Sequence, residues 1–271
     1  MIGRRVAYIT TKGTTVTGAE RVGELLLAFE QAGRTGVERS VSDLARAVGR
    51  ERSQVSRMLK ALARTGLVEQ DPDRRTYRLG WNLRVLAAGS GDYPLVRASR
   101  PVLQAIVAKT GEVALLSVQS GNRSLTVLRE ESHQSLQAGG WVGRRSPMHC
   151  SASGRALLFD SDDDQIDSLT SGDIGIPTSA PEAPKDLTEL LTRIHSERRQ
   201  GYAIASEEVE IGLTSISAPI RDQFGHIAGV LNTSGPTSRI LHRSDAIGKL
   251  LIVAAKTVTQ SLRTRPPAGR S

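Results

Sequence analysis

Apolar residues return at three- and four-residue intervals through Val22, Leu25, Leu26 and Phe29, a spacing that predicts an amphipathic helix ending near Gly33. After the loop GRTGVERS, Ser40 is placed to cap a short helix, VSDLARAV, with Asp43 at the capping-box position and Leu44, Ala45 and Val48 on the apolar face. Gly49 breaks that helix. A second runs through SQVSRMLKALART, with Val55, Met58, Leu59 and Leu62 facing inward and Gly66 closing it. The period then changes: LVEQ, DPDRR and TYRLG read as strand, turn and strand. Two short helices joined around a glycine and followed by a hairpin predict a winged helix-turn-helix over residues 18–80. Residues 1–17 show neither period and read as a flexible basic arm.

The pattern beyond residue 80 is of mixed kind. WNLRVLAAGS is a helical stretch, read as a linker helix within 81–94, and GSGDYP marks a boundary. LVRASRPVLQAIVAKTG is a longer helix in which Pro101 is expected to cause a kink or break. Two β-rich runs around SGN form a hairpin, and a third strand is expected near QAGGWVG. SASGRALLF reads as a helix start capped by Ser151 or Ser153, DDDQIDSL as a short acidic helix, and SGDIGIPTSAPEAPK as a surface loop. DLTELLTRIHSERRQG is a helix with Asp186 as N-cap and Gly201 past its end. GYAIASEEVE, TSISAPIRD and HIAGVLNTSG give strands, SDAIGKLLIVAAKTVTQSL a terminal helix, and 263–271 a disordered tail. Helices flanking an antiparallel sheet place residues 95–262 in the α+β class, as a sensor-like domain.

Charge sharpens this division. The net charge is +8, and residues 1–80 hold 15 Lys+Arg against 9 Asp+Glu, leaving 21 against 19 for the rest. The excess therefore sits where the helix-turn-helix is, which implies an anionic partner and points to double-stranded DNA. The outward residues of the second helix suit that partner: Arg52, Ser53, Gln54, Ser56, Arg57 and Lys60. Arg and Gln pair bidentately with guanine and adenine, while Ser and Lys hold phosphates. Arg74 and Arg75 at the hairpin tip would lie against a groove or the backbone. A helical bundle with a solvated basic face would account for any one of these helices, but not for helix, helix-turn-helix and basic hairpin together.

No apolar run reaches the ~18 residues of a membrane span, no signal segment is evident, and the single Cys150 excludes an internal disulfide framework. These readings imply a cytoplasmic protein. His149 beside Cys150 invites a thiolate–imidazole reading, but neighbours on a strand point to opposite faces, so a structural or pocket-lining role is expected. Glu207, Glu208 and Glu210 share a face only alternately and have no accompanying cluster, so no metal, cofactor or catalytic residue is assigned. His133, His195, His226 and His242 read as isolated surface residues.

Four blocks in order carry a resemblance that spans Gly18 to Leu262: SVSDLARAVGRERSQVSRMLKALARTGLVEQDPDRRTYRLG, SPMHCSASGRALL, GYAIASEEVEIGLTSISAPIRD and GVLNTSGPTSRI. Together they resemble the IclR family of bacterial transcriptional regulators. The resemblance implies a GAF-like effector domain, a homodimer often paired into tetramers, palindromic operators, and action as repressor or activator. It also implies an effector pocket lined by Ala152, Ser153, Ala205, Ser215, Asn232 and Ser234, with backbone N–H groups near Ser153 suited to a carboxylate. Ala205 stands where the family usually has Asp or Ser, Ser215 where Cys is common, and Arg221 in place of an aromatic residue or His. The expected function is that of a ligand-responsive regulator, its effector a small organic acid or aromatic metabolite. The alternative is a constitutive DNA-binding regulator whose second domain serves only oligomerisation.

Overall fold

The computed structural model describes residues 17–29, 38–89, 94–132, 134, 142–175, 180 and 182–263, which fall into two compact units divided after Gly91. In the first unit, helix α1 (Gly18–Leu27) starts at Thr17, whose hydroxyl accepts from Glu20 N while Glu20 reaches back to Thr17 N. The expected end near Gly33 lies outside the described residues; α1 itself stops at Leu27. Helix α2 (Val41–Val48) begins at Ser40, whose hydroxyl accepts from Asp43 N. Asp43 is one methylene too short to return to the Ser40 backbone and instead accepts from the Ser40 hydroxyl at 2.7 Å. Gly49 closes the helix in the left-handed region, at φ 64°.

Helix α3 (Arg52–Arg64) buries Val55, Leu59 and Leu62 against Leu25 and Phe29 of the first helical segment and Leu44 of α2. Strands β1 (Val68–Gln70) and β2 (Tyr77–Leu79) form the antiparallel hairpin. The sequence pattern did not reveal the third piece of this small sheet: Arg39 and Tyr77 exchange both backbone hydrogen bonds, at 2.8 and 2.7 Å, and Thr76 donates to Glu38. The chain entering α2 is thereby stitched to the wing. Helix α4 (Trp81–Gly89) follows, with Trp81, Val85 and Leu86 exposed.

The second unit opens with helix α5 (Pro94–Thr110), which continues through Pro101 without a break. The missing amide bond is outweighed by packing along its length against the sheet and the last helix, where Leu103, Ile106 and Val107 are buried. The six-stranded antiparallel sheet has β3 (Val113–Ser120), β4 (Arg123–Glu130), β5 (Arg145–Pro147), β6 (Ala203–Ser206), β7 (Leu213–Arg221) and β8 (Ile227–Pro236), in the order β5-β4-β3-β8-β7-β6. Of the third strand expected near QAGGWVG, residues 137–141 lie outside the described set and 142–143 form a turn; the strand begins at Arg145. Helices α6 (Ala152–Leu157), α7 (Asp163–Thr170), α8 (Leu187–Gln200), α9 (Thr237–Ile240) and α10 (Ser244–Arg263) complete the unit. Ser151, not Ser153, caps α6, and Asp186 and Gly201 bound α8 as the sequence implies.

The sheet separates two unlike faces. Directly paired residues share a face. Ala114, Leu116, Ile216, Ala218, Ile220 and Leu231 therefore turn to α5 and α10 and form the larger core. Leu115, Ser117, Ser215, Ser217, Val230, Asn232 and Ser234 turn the other way, beneath α6.

Candidate functional site

Arg52, Ser56 and Lys60 from α3 and Arg74 and Arg75 from the wing line one groove of about 420 Å³, together with Ser40, Val41, Ser42, Gln70 and Tyr77. Four of these ten residues are cationic and none is acidic. The helical spacing of Arg52, Ser56 and Lys60 stacks them on one edge of α3, while Ser53, Gln54 and Arg57 are exposed beside them outside the groove lining. The wing tip is shaped by Asp71, whose carboxylate accepts from Asp73 N and Arg74 N, bonds that hold its pKa below the ordinary value. Arg75 adopts φ 53°, a left-handed conformation unusual for a side chain of its size. The cationic tip is thus retained at a position where the backbone favours glycine.

In the second unit, α6 packs on β6, β7 and β8. The approach is so close that a Cβ on Gly154 would fall 2.5 Å from Met148 Cα, so only glycine fits. Ala205, Ser215 and Ser234 form one row of direct cross-strand partners, and Ser217 and Asn232 form the next. Ala152, Ser153, Ala205, Asn232 and Ser234 are buried and Ser215 is half-buried, so all six residues drawn from the resemblance lie on α6 or the sheet face beneath it. The Ser151 hydroxyl already occupies Gly154 N, and α6 is only six residues long, so the helix start is a weaker anion site than the sequence suggests. Arg221 is elsewhere: it bonds to Asp160 and to the Gly225 carbonyl at the far end of β7.

The same face carries polar side chains outside the expected set, Ser124 on β4 and Ser217 on β7. Ser124 Oγ, Ser217 Oγ, Asn232 Oδ1 and His149 Nδ1 are buried with no hydrogen-bond partner among the described residues. Alternation in the strands was the available signal, but it could not say which alternate set lay beneath a helix.

Behind α6 lies a buried charge centre. Arg155 is fully buried, bonded through Nε and one terminal nitrogen to Glu197 at 2.8 and 2.9 Å. It also contacts Glu208 at 2.5 and 3.1 Å and donates to the His149 and Ile204 carbonyls. Arg193 adds a second cation 3.1 Å from Glu208. Burial opposes the Arg155 charge, but the two glutamates outweigh it and hold its pKa above the ordinary value. Burial raises the Glu208 pKa against the pull of Arg155. The strand-alternation argument for the Glu207–Glu210 cluster therefore does not apply: β6 ends at Ser206, Glu207 takes φ 57°, and Glu208 turns inward alone.

His149 and Cys150 also need a corrected premise, because they lie in a turn after β5 rather than on a strand. Burial pushes the Cys150 thiol up to about 12, so it is protonated at neutral pH and is no thiolate nucleophile. Burial lowers the His149 pKa from its ordinary 6.5, aided by Arg123 and Arg155 against Asp173. The unfolded chain thus binds a proton at His149 before the folded one does, and acidification through pH 6.5 removes stability. Unfolding midpoints at pH 7.5 and 5.5 should accordingly differ less in His149→Gln than in the parent; an equal difference would sink the assignment. Of the other histidines, His195 bonds to Asp163 at 2.9 Å, His226 and His242 are exposed, and His133 lies outside the described residues.

Residues 18–72 match the IclR helix-turn-helix domain, and residues 90–260 match the Bacterial transcriptional regulator IclR C-terminal family. This chain belongs to the IclR family. It is similar to the HTH-type transcriptional repressor AllR of Salmonella paratyphi A, 27% identical over 261 residues covering 94% of both chains. AllR of Escherichia coli K12 is 25% identical over 247 residues, 90% of this chain and 91% of that one. An IclR homolog from Microbacterium hydrocarbonoxydans, solved in complex with 4-hydroxybenzoate, superposes with a TM-score of 0.78 at 25% identity, over 90% of this chain and 98% of that one. The IclR transcriptional regulator from Alicyclobacillus acidocaldarius shares the fold at a TM-score of 0.78 and 22% identity, over 92% of this chain and 99% of that one. The chain is thus a DNA-binding transcriptional regulator of IclR type and not an enzyme. No helix among its described residues is long and apolar enough to cross a membrane.

Proposed function

We propose that this IclR-type regulator binds a palindromic operator as a homo-oligomer and releases or reshapes that complex when a small effector occupies the second unit. Arg52, Ser53, Gln54, Ser56, Arg57 and Lys60 face the major groove, and Arg74 and Arg75 hold the adjacent backbone. The observation that carries this reading is the groove between α3 and the wing, which gathers four cations and no acid. Half-sites lie about one helical turn apart, or a multiple of it. A change in spacing between two recognition helices, transmitted through α4, would then break several contacts at once.

The effector is a small organic acid or aromatic metabolite, held among Ala152, Ser153, Ala205, Ser215, Asn232 and Ser234. Support comes from the buried unpartnered polar atoms on that face and from the 4-hydroxybenzoate bound by the Microbacterium homolog. The AllR relatives, named as repressors, favour repression as the sense of control.

The test is binding of the full chain to DNA upstream of its own gene, in a salt series, against random DNA. Selective binding with a steep salt slope is expected. Gln54→Ala should weaken the operator selectively by about 1–3 kcal/mol, whereas Lys60→Ala should weaken both DNAs alike. Identical behaviour of the two variants would overturn the assignment. Operator binding that no metabolite alters would favour the constitutive alternative.

A further inference from the structure

The wing is fastened to the chain entering α2 by its backbone and by one carboxylate. Arg39 exchanges both backbone hydrogen bonds with Tyr77, so Glu38, just before it, follows the register of β2. Glu38 Oε2 accepts from the Thr76 hydroxyl at 2.8 Å, and the same oxygen lies 3.7 Å from Arg74 Nη1. Arg74 also lines the groove beside α3, with Arg52, Lys60 and Arg75. Among the described residues it is the one cation of those four that is paired with a carboxylate. Asp71 acts on the same guanidinium electrostatically, but its Oδ1 is taken up by the amides of Asp73 and Arg74.

The two sides of the hairpin differ in sign. Arg75 and Tyr77 line the cationic groove, while Thr76 and Arg78, the alternate set, line a hollow with Glu38, Glu69 and Asp71. Arg78 is held there by Glu69 at 2.7 Å. Arg74 stands at the edge between the two sides, with its side chain 75% exposed and that of Glu38 29% exposed. A phosphate offers an arginine two parallel charge-assisted bonds. One carboxylate oxygen at 3.7 Å, already bonded to a hydroxyl, does not. DNA in the groove would therefore draw Arg74 off Glu38. The carboxylate would keep its Thr76 bond but be left uncompensated beside the DNA backbone.

We propose that Glu38 is a positioning residue of the wing, which holds Arg74 in the free protein as a stand-in for a phosphate and gives it up to DNA. This rests on the placement of Arg74 against the DNA backbone proposed above. Glu38 then lowers the electrostatic part of the affinity. The reduction falls on every duplex alike, because phosphates carry no sequence information. An exposed pair of this kind is weak, so the change it makes is a few-fold one for each protomer.

The test is titration of the full chain with a random-sequence duplex across a salt series. The parent is compared with Glu38→Gln, Thr76→Val, Arg74→Ala and the double variant that joins Glu38→Gln to Arg74→Ala. Glutamine removes the charge and keeps an acceptor for Thr76. Glu38→Gln should bind about two- to fivefold more tightly per protomer, with a salt slope steeper by up to about 0.9. Thr76→Val should bring no gain, which separates the charge from the hydrogen bond. The gain should vanish in the double variant relative to Arg74→Ala alone. Melting curves identify any variant that fails to fold, and Glu38→Ala, which removes the same charge, should reproduce the steeper slope. Unchanged or weaker binding by folded Glu38→Gln, an equal gain in Thr76→Val, or a gain kept in full without Arg74 overturns this proposal. If Arg74→Ala still weakens binding in those cases, the wing reading stands. Arg74→Ala with the parent's affinity and slope overturns both.

Discussion

Arg155→Met should destabilise the effector unit by about 3–5 kcal/mol, because it leaves the Glu197 and Glu208 carboxylates buried without their shared cation. Methionine fills much of the same volume, so the loss is one of charge compensation rather than of packing. Arg193, at 3.1 Å from Glu208, compensates only that glutamate and is itself partly exposed. For a unit of this size each kcal/mol corresponds to about 2–4 °C, so the unfolding midpoint of the second unit should fall by roughly 10 °C. Adding Glu197→Gln and Glu208→Gln to Arg155→Met should restore much of the loss, since no buried charge then lacks its partner. An unchanged midpoint in Arg155→Met would show that the centre is hydrated and energetically neutral. Because Arg155 lies on α6 three residues beyond Ala152, the single variant should also blunt stabilisation by any ligand of the proposed effector site.

The second large effect is expected in the groove. Combining Lys60→Ala, Arg74→Ala and Arg75→Ala removes three of its four cations. If each neutralises one phosphate, the slope of log affinity against log salt should become shallower by about 2.7 per protomer. The loss should be equal on operator and random DNA, which separates it from the selective loss in Gln54→Ala. An unchanged slope would remove the wing from the interface. Arg75→Gly alone gives a further check within the same series: the left-handed φ of 53° suits glycine, so folding stability should hold or rise while the DNA slope becomes shallower.

The signals that were legible in the sequence share one property: they act within about four residues. Ser40 caps α2, Asp186 caps α8, and Gly201 ends α8 at φ 87° through contacts between near neighbours. The 3.6-residue period of Val55, Leu59 and Leu62 fixes the inner face of α3 and hence exposes Arg52, Gln54 and Lys60, whatever the rest of the chain does. The two-residue period of LVEQ and TYRLG, broken by Asp71–Pro72, likewise suffices to define the wing hairpin.

What only the tertiary structure decided depends on distant partners. Arg155 carries no local signal within SASGRALLF, because its glutamates are 42 and 53 residues away. Arg39 joined the wing sheet by pairing with Tyr77 across the whole helix-turn-helix. Pro101 remained inside α5 because packing against the sheet and α10 outweighed one lost backbone bond. The effector face is the clearest case. The sequence alone determined that β7 and β8 alternate, but strand order and register chose which serines lie under α6 and set Ser217 beside Asn232. Cross-strand pairing is a long-range choice, made by burying the apolar set against α5 and α10, and it leaves the small polar set beneath α6.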